Sequence, residues 1–406
     1  MKIIDGSVTA AKGFKATGAA VGIKKGVKDL ALLASDVPAT AAAAFTTNVV
    51  KATSVTRNME IMESGVKING VAINSGNANA CTGELGVKSN KEMAKAYADC
   101  LGVDENTILT ASTGVIGATF PIETVKAGIE STYKSLGYDR SDALLAAEAI
   151  MTTDTYSKEV AVEFEIGGKT VRMGGMAKGS GMICPNMATM LAFVTTDCAI
   201  DKELLNKALK ADIETTYNMV SVDGDTSTND TIIVMANGLA ENTVIDSEGA
   251  DYDTFKEALH YVNERLAKNL VRDGEGATKF IEVNVKGAAS EKDAKTMAKS
   301  VVKSSLVKAA MFGEDANWGR VLCAMGYSGV KFDPTKVDIV FESAKGDILL
   351  MDNGTPIVFD EEKAATILSE KEITVNIKIS EGEAKATAWG CDLSYDYVKI
   401  NGDYRS

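Results

Sequence analysis

Apolar and polar positions change period several times along this chain. "EVAVEFEI" at 159–166 and "FIEVNV" at 280–285 alternate strictly, which predicts half-buried strands. "EITVNIKI" sets Ile373, Val375, Ile377 and Ile379 on one face, and "EGEAKATAWG" predicts its hairpin partner across Glu381–Gly382. The apolar run after Thr189, to about Val194, and "TIIVMAN" at 231–237 predict buried strands. "TILTASTGVIG" at 107–117 reads as a strand entering a glycine-punctuated loop, and "KTVRMGGMAKGSG" as a strand followed by a glycine loop. Helical spacing covers 86–101, with Val87, Met93, Ala94, Ala96 and Tyr97, and continues over 119–135 and 141–151. A further helix runs from Lys202 to Tyr217 behind an Asp201 cap, and Ser290 opens another. From about residue 336 the pattern is mainly β, with an Asn353–Gly354 turn. Helices alternating with strands predict sheets packed against helices in layers, an α/β (α+β) class.

Length and charge narrow this picture. A chain of 406 residues calls for two domains or one large two-lobed unit. The formal charge of −13, with no Lys/Arg cluster, argues against nucleic acid or an anionic membrane surface as a partner. No stretch reaches the ~18 apolar residues of a membrane span. "MKIIDGSVTAAKGFK" lacks the apolar core of a signal peptide. Six cysteines without a CxxC pair, and a single histidine, argue against a zinc site. The expectation is a cytoplasmic protein with reduced thiols and no metal or cofactor.

The lone histidine also constrains catalysis. His260 lies in "FKEALHYVNERLAKNL", where Phe255, Leu259, Val262, Leu266 and Leu270 recur at helical spacing, so a surface or packing role is expected. An activated hydroxyl in this chain therefore needs a base other than histidine. One solution uses the nucleophile's own backbone. Once the peptide bond before a Ser, Thr or Cys is cut, the new α-amine, with a reference pKa near ~8, serves as base for the adjacent hydroxyl. "GMICPNMATMLAF" has the parts for such a cut: a glycine-rich approach, Ala188, then Thr189 at the head of an apolar strand. The same pattern also describes an ordinary threonine at a strand start.

"KGSGMICPNMATMLAFVTTD" at 178–197 resembles the self-cleavage region of the ornithine acetyltransferase (glutamate N-acetyltransferase) family of arginine biosynthesis. The resemblance runs along nearly the whole chain: "SVTAAKGF" at 7–14, "INSGNANACTG" at 73–83, "ASTGVIG" at 111–117, "IMTTDT" at 150–155, "SVDGDTSTNDT" at 221–231, "VRDGEGATKF" at 271–280, "GEDANWGR" at 313–320 and "NGDYRS" at 401–406. Ala11, Ala316 and Ser406 depart from the family's usual residues. The resemblance implies a layered helix–sheet–sheet–helix sandwich of the self-processing, N-terminal-nucleophile-like type. It implies cleavage between Ala188 and Thr189 into an α chain, 1–188, and a β chain, 189–406, that assemble as an α2β2 heterotetramer. Thr189 would take the acetyl group from N-acetylornithine, release ornithine, and pass the group to glutamate as N-acetylglutamate. Some members also use acetyl-CoA. Thr113 and Gly114 are implied as oxyanion donors. Thr152, Lys178, Glu275, Asn401 and Ser406 are implied as substrate contacts, with Thr189 itself.

Blander roles stand beside these. Thr113–Gly114 also reads as a turn after a strand, Lys178 as a solvated loop lysine, and Glu275 as a helix-start or turn residue. "DGDTSTND" lacks the spacing of a calcium loop and reads as structural or site-supporting. Cys81 is expected to be a buried, inert thiol. Two rival functions remain open: a self-processing aminopeptidase or amidase, which would give the acyl group to water, and a binding protein that stays one chain.

Overall fold

The computed structural model describes residues 1–184 and 190–403. It divides into two compact units. The first holds Met1–Gly179, residues 190–218 and Asp225–Leu270; the second holds Ser180–Cys184, Met219–Gly224 and residues 271–403. Each unit thus takes segments from before and after position 188.

The first unit is organised by one long strand, Leu30–Phe45. Its first part pairs with Phe14–Ala19 and Ile68–Asn77, and its last part, Thr40–Phe45, pairs with Thr231–Ala236. The register shifts between Ala34 and Ala39. Pro38 stands in that interval, where a residue without an N–H costs no ladder bond. The strand therefore belongs to two half-sheets. One continues through Ile68–Asn77 to Ile108–Val115. The other runs outward from Thr231–Ala236 through Leu191–Thr196, Lys169–Lys178 and Lys158–Ile166 to Lys2–Ile4.

Side-chain alternation shows how these half-sheets are layered. Ala31, Leu33, Val71, Ile73, Leu109 and Ala111 from the first share one apolar cluster with Met176, Leu191, Phe193, Ile233 and Met235 from the second. On the opposite face of the first half-sheet, Leu30, Leu32, Ala72 and Ile108 pack on Met93, Tyr97, Val125 and Ile129 of the helices Gly83–Leu101 and Ile122–Thr132. On the opposite face of the second, Gly175 lies against Val262 and Leu266 of the helix Ala250–Arg272. The order within this unit is helix, sheet, sheet, helix, as the sequence implied. The expected strand runs to Lys178 and includes Gly174 and Gly175, and the glycine loop follows it. The reason for these two glycines is space: a β-carbon on Gly174 would lie 1.9 Å from the Ser7 carbonyl oxygen.

The second unit is a seven-stranded sheet. From one edge it runs Thr355–Pro356, Gly346–Asp352, Asp338–Ser343, Glu372–Lys378, Phe280–Ala288, Ala384–Cys391 and Val220–Ser221. The helix Glu291–Lys303, capped by Ser290, lays Val302 against Gly390. Among the described residues no helix is long and apolar enough to cross a membrane.

The expected hairpin is absent here. Glu372–Lys378 and Ala384–Cys391 are separated by Phe280–Ala288, which pairs parallel to the first and antiparallel to the second. A buried central strand gains two ladders this way, which outweighs the closeness of the flanking strands in sequence. The connection passes over the end of that strand, where the Gly287 carbonyl accepts from the N–H groups of Glu381 and Gly382, both at 2.9 Å. Gly287 has φ +83°, and a β-carbon there would sit 1.9 Å from the Ile379 carbonyl oxygen. Gly287→Ala is expected to destabilise the second unit by roughly 2–3 kcal/mol. The check is the denaturant midpoint followed by the fluorescence of Trp389.

Candidate active site

The apolar interior of the first unit ends in polar side chains. Thr113 follows Leu109 and Ala111 at the period of its strand, so it shares their inward face at the strand's C-terminal end. Lys178 pairs with Leu191 across the antiparallel ladder and follows Met176, so it too faces inward. The two side chains come from opposite half-sheets and meet. The Lys178 ammonium donates to Thr152 Oγ1 at 2.7 Å and to Thr113 Oγ1 at 3.2 Å. Lys178 is buried, so the solvated-loop alternative does not hold.

Gly114 completes the strand end. Its φ is +132°, and a β-carbon would lie 2.3 Å from the carbonyl carbon of Gly76, so no side chain fits. The preceding stretch is tied down by Asn229, whose Nδ2 donates to the carbonyls of Ala78 and Ser112, both at 2.7 Å. This places part of "DGDTSTND" as a brace beneath the Thr113–Gly114 strand.

Three residues of this cluster, Asp154, Lys158 and Lys24, escaped the sequence reading. Asp154 accepts from Lys158 Nζ at 2.6 Å and from the Gly179 N–H at 2.6 Å. Its other oxygen accepts from the Thr152 N–H at 3.0 Å. Both side chains of the Asp154–Lys158 pair are fully buried. Burial pushes the Asp154 carboxyl up, but the Lys178 and Lys158 ammoniums and the Gly179 N–H together hold it down at about 2. A usable signal existed: Lys158 shares the parity of Val160, Val162, Phe164 and Ile166, the buried face turned away from the sheet–sheet interior, and a lysine on an apolar face requires a carboxylate. A third ammonium, Lys24, donates to the carbonyl of Met151, next to Thr152, at 2.7 Å. Burial holds its pKa below the usual lysine value, and the Lys178 charge adds to this against the pull of Asp29. The Asp29 carboxylate fixes this loop by accepting the N–H groups of Val21, Gly22 and Lys24. Three ammoniums in this neighbourhood favour an anion or a developing oxyanion.

In the second unit, Glu275 and Asn401 are brought together. Asn401 Nδ2 donates to Glu275 Oε2 at 2.7 Å, and also to the Tyr397 carbonyl at 3.1 Å, within the helix Tyr395–Gly402. Glu275 is buried, and Gly181 allows its approach: a β-carbon there would lie 2.2 Å from Glu275 Oε2. An exposed turn role for Glu275 is excluded by this packing. Ala188, Thr189 and Ser406 lie outside the described residues.

His260 has a structural explanation. Its Nδ1 lies 2.7 Å from Asp212 Oδ1, and Asn263 Nδ2 donates to the other oxygen at 2.6 Å. That hydrogen bond raises the His260 pKa, and the pair ties the helix Ala250–Arg272 to the helix Lys202–Ile213. Cys81 corrects an expectation: it is exposed, with φ +57°, because the chain turns sharply there instead of entering the core.

A model described as the ArgJ family matches residues 15–406. The chain belongs to the ArgJ family. It is 54% identical over 410 residues to the arginine biosynthesis bifunctional protein ArgJ of Caldanaerobacter subterraneus subsp. tengcongensis, covering 100% of both chains. It is 53% identical over 409 residues to the protein of the same name from Symbiobacterium thermophilum, again covering 100% of both. Among solved structures it resembles the arginine biosynthesis bifunctional protein argJ of Bacillus halodurans, with 47% identity and a TM-score of 0.51. That match covers 53% of this chain and 99% of the solved one.

The Asp154 carboxyl sits below its reference value of 3.8, so its contribution to stability is complete above about pH 5 and lost as pH falls toward 2. Integrated over that range it amounts to about 2 kcal/mol. Acid unfolding of the double variant Asp154→Asn/Lys158→Met is expected to lack this component, as measured by urea midpoints at pH 6, 4 and 3.

Proposed function

We propose that this member of the ArgJ family, an acyltransferase of arginine biosynthesis, works as a glutamate N-acetyltransferase through Thr189. The observation that carries the reading is the meeting of Lys178, Thr152 and Thr113 at one end of the sheet interior. The strand that begins two residues after Thr189 pairs there, Leu191 against Lys178. Thr189 has the sequence parity of Leu191 and Phe193, the inward-facing residues of that strand.

The first event is self-cleavage. Thr189 Oγ attacks the Ala188 carbonyl, the peptide nitrogen leaves as the α-amine, and water hydrolyses the resulting ester. The products are the α chain 1–188, ending in a carboxylate, and the β chain 189–406, beginning with a free threonine amine. The solved Bacillus halodurans chain, matched over 99% of itself, spans 53% of this one, the length such a cut gives its C-terminal product.

In turnover, the Thr189 α-amine takes the hydroxyl proton while Oγ attacks the acetyl carbonyl of N-acetylornithine. The oxyanion receives the Thr113 hydroxyl and the Gly114 N–H. Collapse expels ornithine, whose nitrogen takes the proton back from the Thr189 ammonium, and leaves an acetyl ester. The glutamate amine reverses these steps and departs as N-acetylglutamate. Thr152 and Lys178 bind the substrate's polar groups at this strand end, and Lys178 suits its carboxylate as a point charge. Glu275 and Asn401, with Ser406, are further substrate contacts, the carboxylate suiting an ammonium. Acetyl-CoA is a second donor to the same hydroxyl, and the two chains assemble as α2β2 in the cytoplasm.

Two measurements test this. Wild-type protein is expected to run as two bands on a denaturing gel and Thr189→Ala as one. Cleaved enzyme given N-acetylornithine and labelled glutamate is expected to yield labelled N-acetylglutamate, with Thr113→Val slower by about 10²–10³ in kcat. One wild-type band, or release of acetate without transfer, would overturn the reading.

A further inference from the structure

An ammonium can only donate. The bonds from Lys178 Nζ to Thr113 Oγ1 and Thr152 Oγ1 therefore use both hydroxyl oxygens as acceptors. Each hydroxyl hydrogen must then point away from the lysine. For Thr113 this has a chemical consequence, and it rests on the function proposed above. A freely rotating hydroxyl divides its time between donating and accepting. One whose lone pair is held by a fixed cation is committed to donate, the state an oxyanion requires.

The cation is held from behind by Asp154. One carboxylate oxygen takes the Gly179 N–H, the peptide directly after Lys178, and also Lys158 Nζ. The other takes the Thr152 N–H. A single buried carboxylate thus grips the backbone beside both residues whose side chains meet. Lys158, with no exposed surface, supplies the counter-charge that lets this carboxylate stay ionised inside the fold.

We propose that Asp154, charge-balanced by Lys158, is a positioning residue for acyl transfer: it fixes Lys178 against Thr113 so that the Thr113 hydroxyl is presented as an oxyanion donor. Asp154 touches no substrate in this arrangement. Its effect travels through Thr113, which separates it from a group that merely stabilises the fold.

The test is a cycle on the full, self-processed enzyme, with active sites counted by the stoichiometry of acetyl-enzyme formed from N-acetylornithine. Asp154→Asn/Lys158→Met removes the tether without leaving a lone buried charge. It is expected to lower kcat per active site by about 10- to 100-fold, the cost of a small misplacement at a reacting centre, while KM for N-acetylornithine rises by less than kcat falls, through the substrate contacts of Lys178 and Thr152. Combined with Thr113→Val, it is expected to cost no more than about twofold beyond Thr113→Val alone, since both act on one donor. Wild-type kcat in the pair, or losses that multiply with Thr113→Val, would sink the inference and leave the proposed function standing. A wild type that forms no acetyl-enzyme would sink both. If the pair gives no cleaved enzyme, Lys158→Met alone enters the same cycle and is read by the same criteria.

Discussion

Everything at the candidate site depends on keeping ammonium groups charged where water is scarce. Lys158 and Lys178 are buried, and Lys24 is half-buried. An unpaired ammonium in such a place would be neutralised or would unfold the structure around it. Asp154 prevents this by accepting two backbone N–H groups and one ammonium with its two oxygens. The backbone at Thr152 and Gly179 and the side chain of Lys158 are organised about that carboxylate. Hydroxyl groups and a glycine turn then need only small, local support.

The layered sheets bring this about by parity. An inward-facing position near the middle of a strand holds Leu109 or Met176; the same face, one or two steps nearer the end, holds Thr113 or Lys178. The candidate site lies where the apolar interior stops. The strand Leu30–Phe45 makes this possible, because it belongs to both half-sheets and sets their inner faces toward one another.

Much of this was legible in the sequence, for identifiable reasons. Strand 159–166 and the helix around His260 carried strong periods, and strand 231–237 a continuous apolar run, and burial in the structure follows each. Thr113, Thr152 and Lys178 were found through a family likeness, and the structure joins them by direct hydrogen bonds. Asp154 was missed although it stands inside the quoted "IMTTDT", because an acidic residue in a helix-to-strand loop carries no signature of its own and only its partner Lys158 did. The false hairpin near Glu381–Gly382 came from reading adjacency as pairing. Nothing local to those strands announces that Phe280–Ala288, about ninety residues earlier in the chain, will slide between them. The role of the "GGMAK" glycines was not legible, because sequence shows that a side chain is missing, not what fills the space. Ser7 and the helix Ala250–Arg272 fill it here.

The order of strands in the first unit bears on the history of each molecule. Leu191–Thr196 and Thr231–Ala236 follow the proposed cut, yet they lie between Lys169–Lys178 and Leu30–Phe45, which precede it. A cut between Ala188 and Thr189 would leave two polypeptides with interleaved strands in one sheet. The ladder Met173–Lys178 against Leu191–Thr196, formed as neighbours on one chain, would become a contact between two. The entropy of bringing those strands together is spent once, while they are still joined by a short link. A processed molecule that later unfolds must find its partner by diffusion, at a rate set by concentration. The native state of the mature protein is then reached once and held by a barrier, with no short route back.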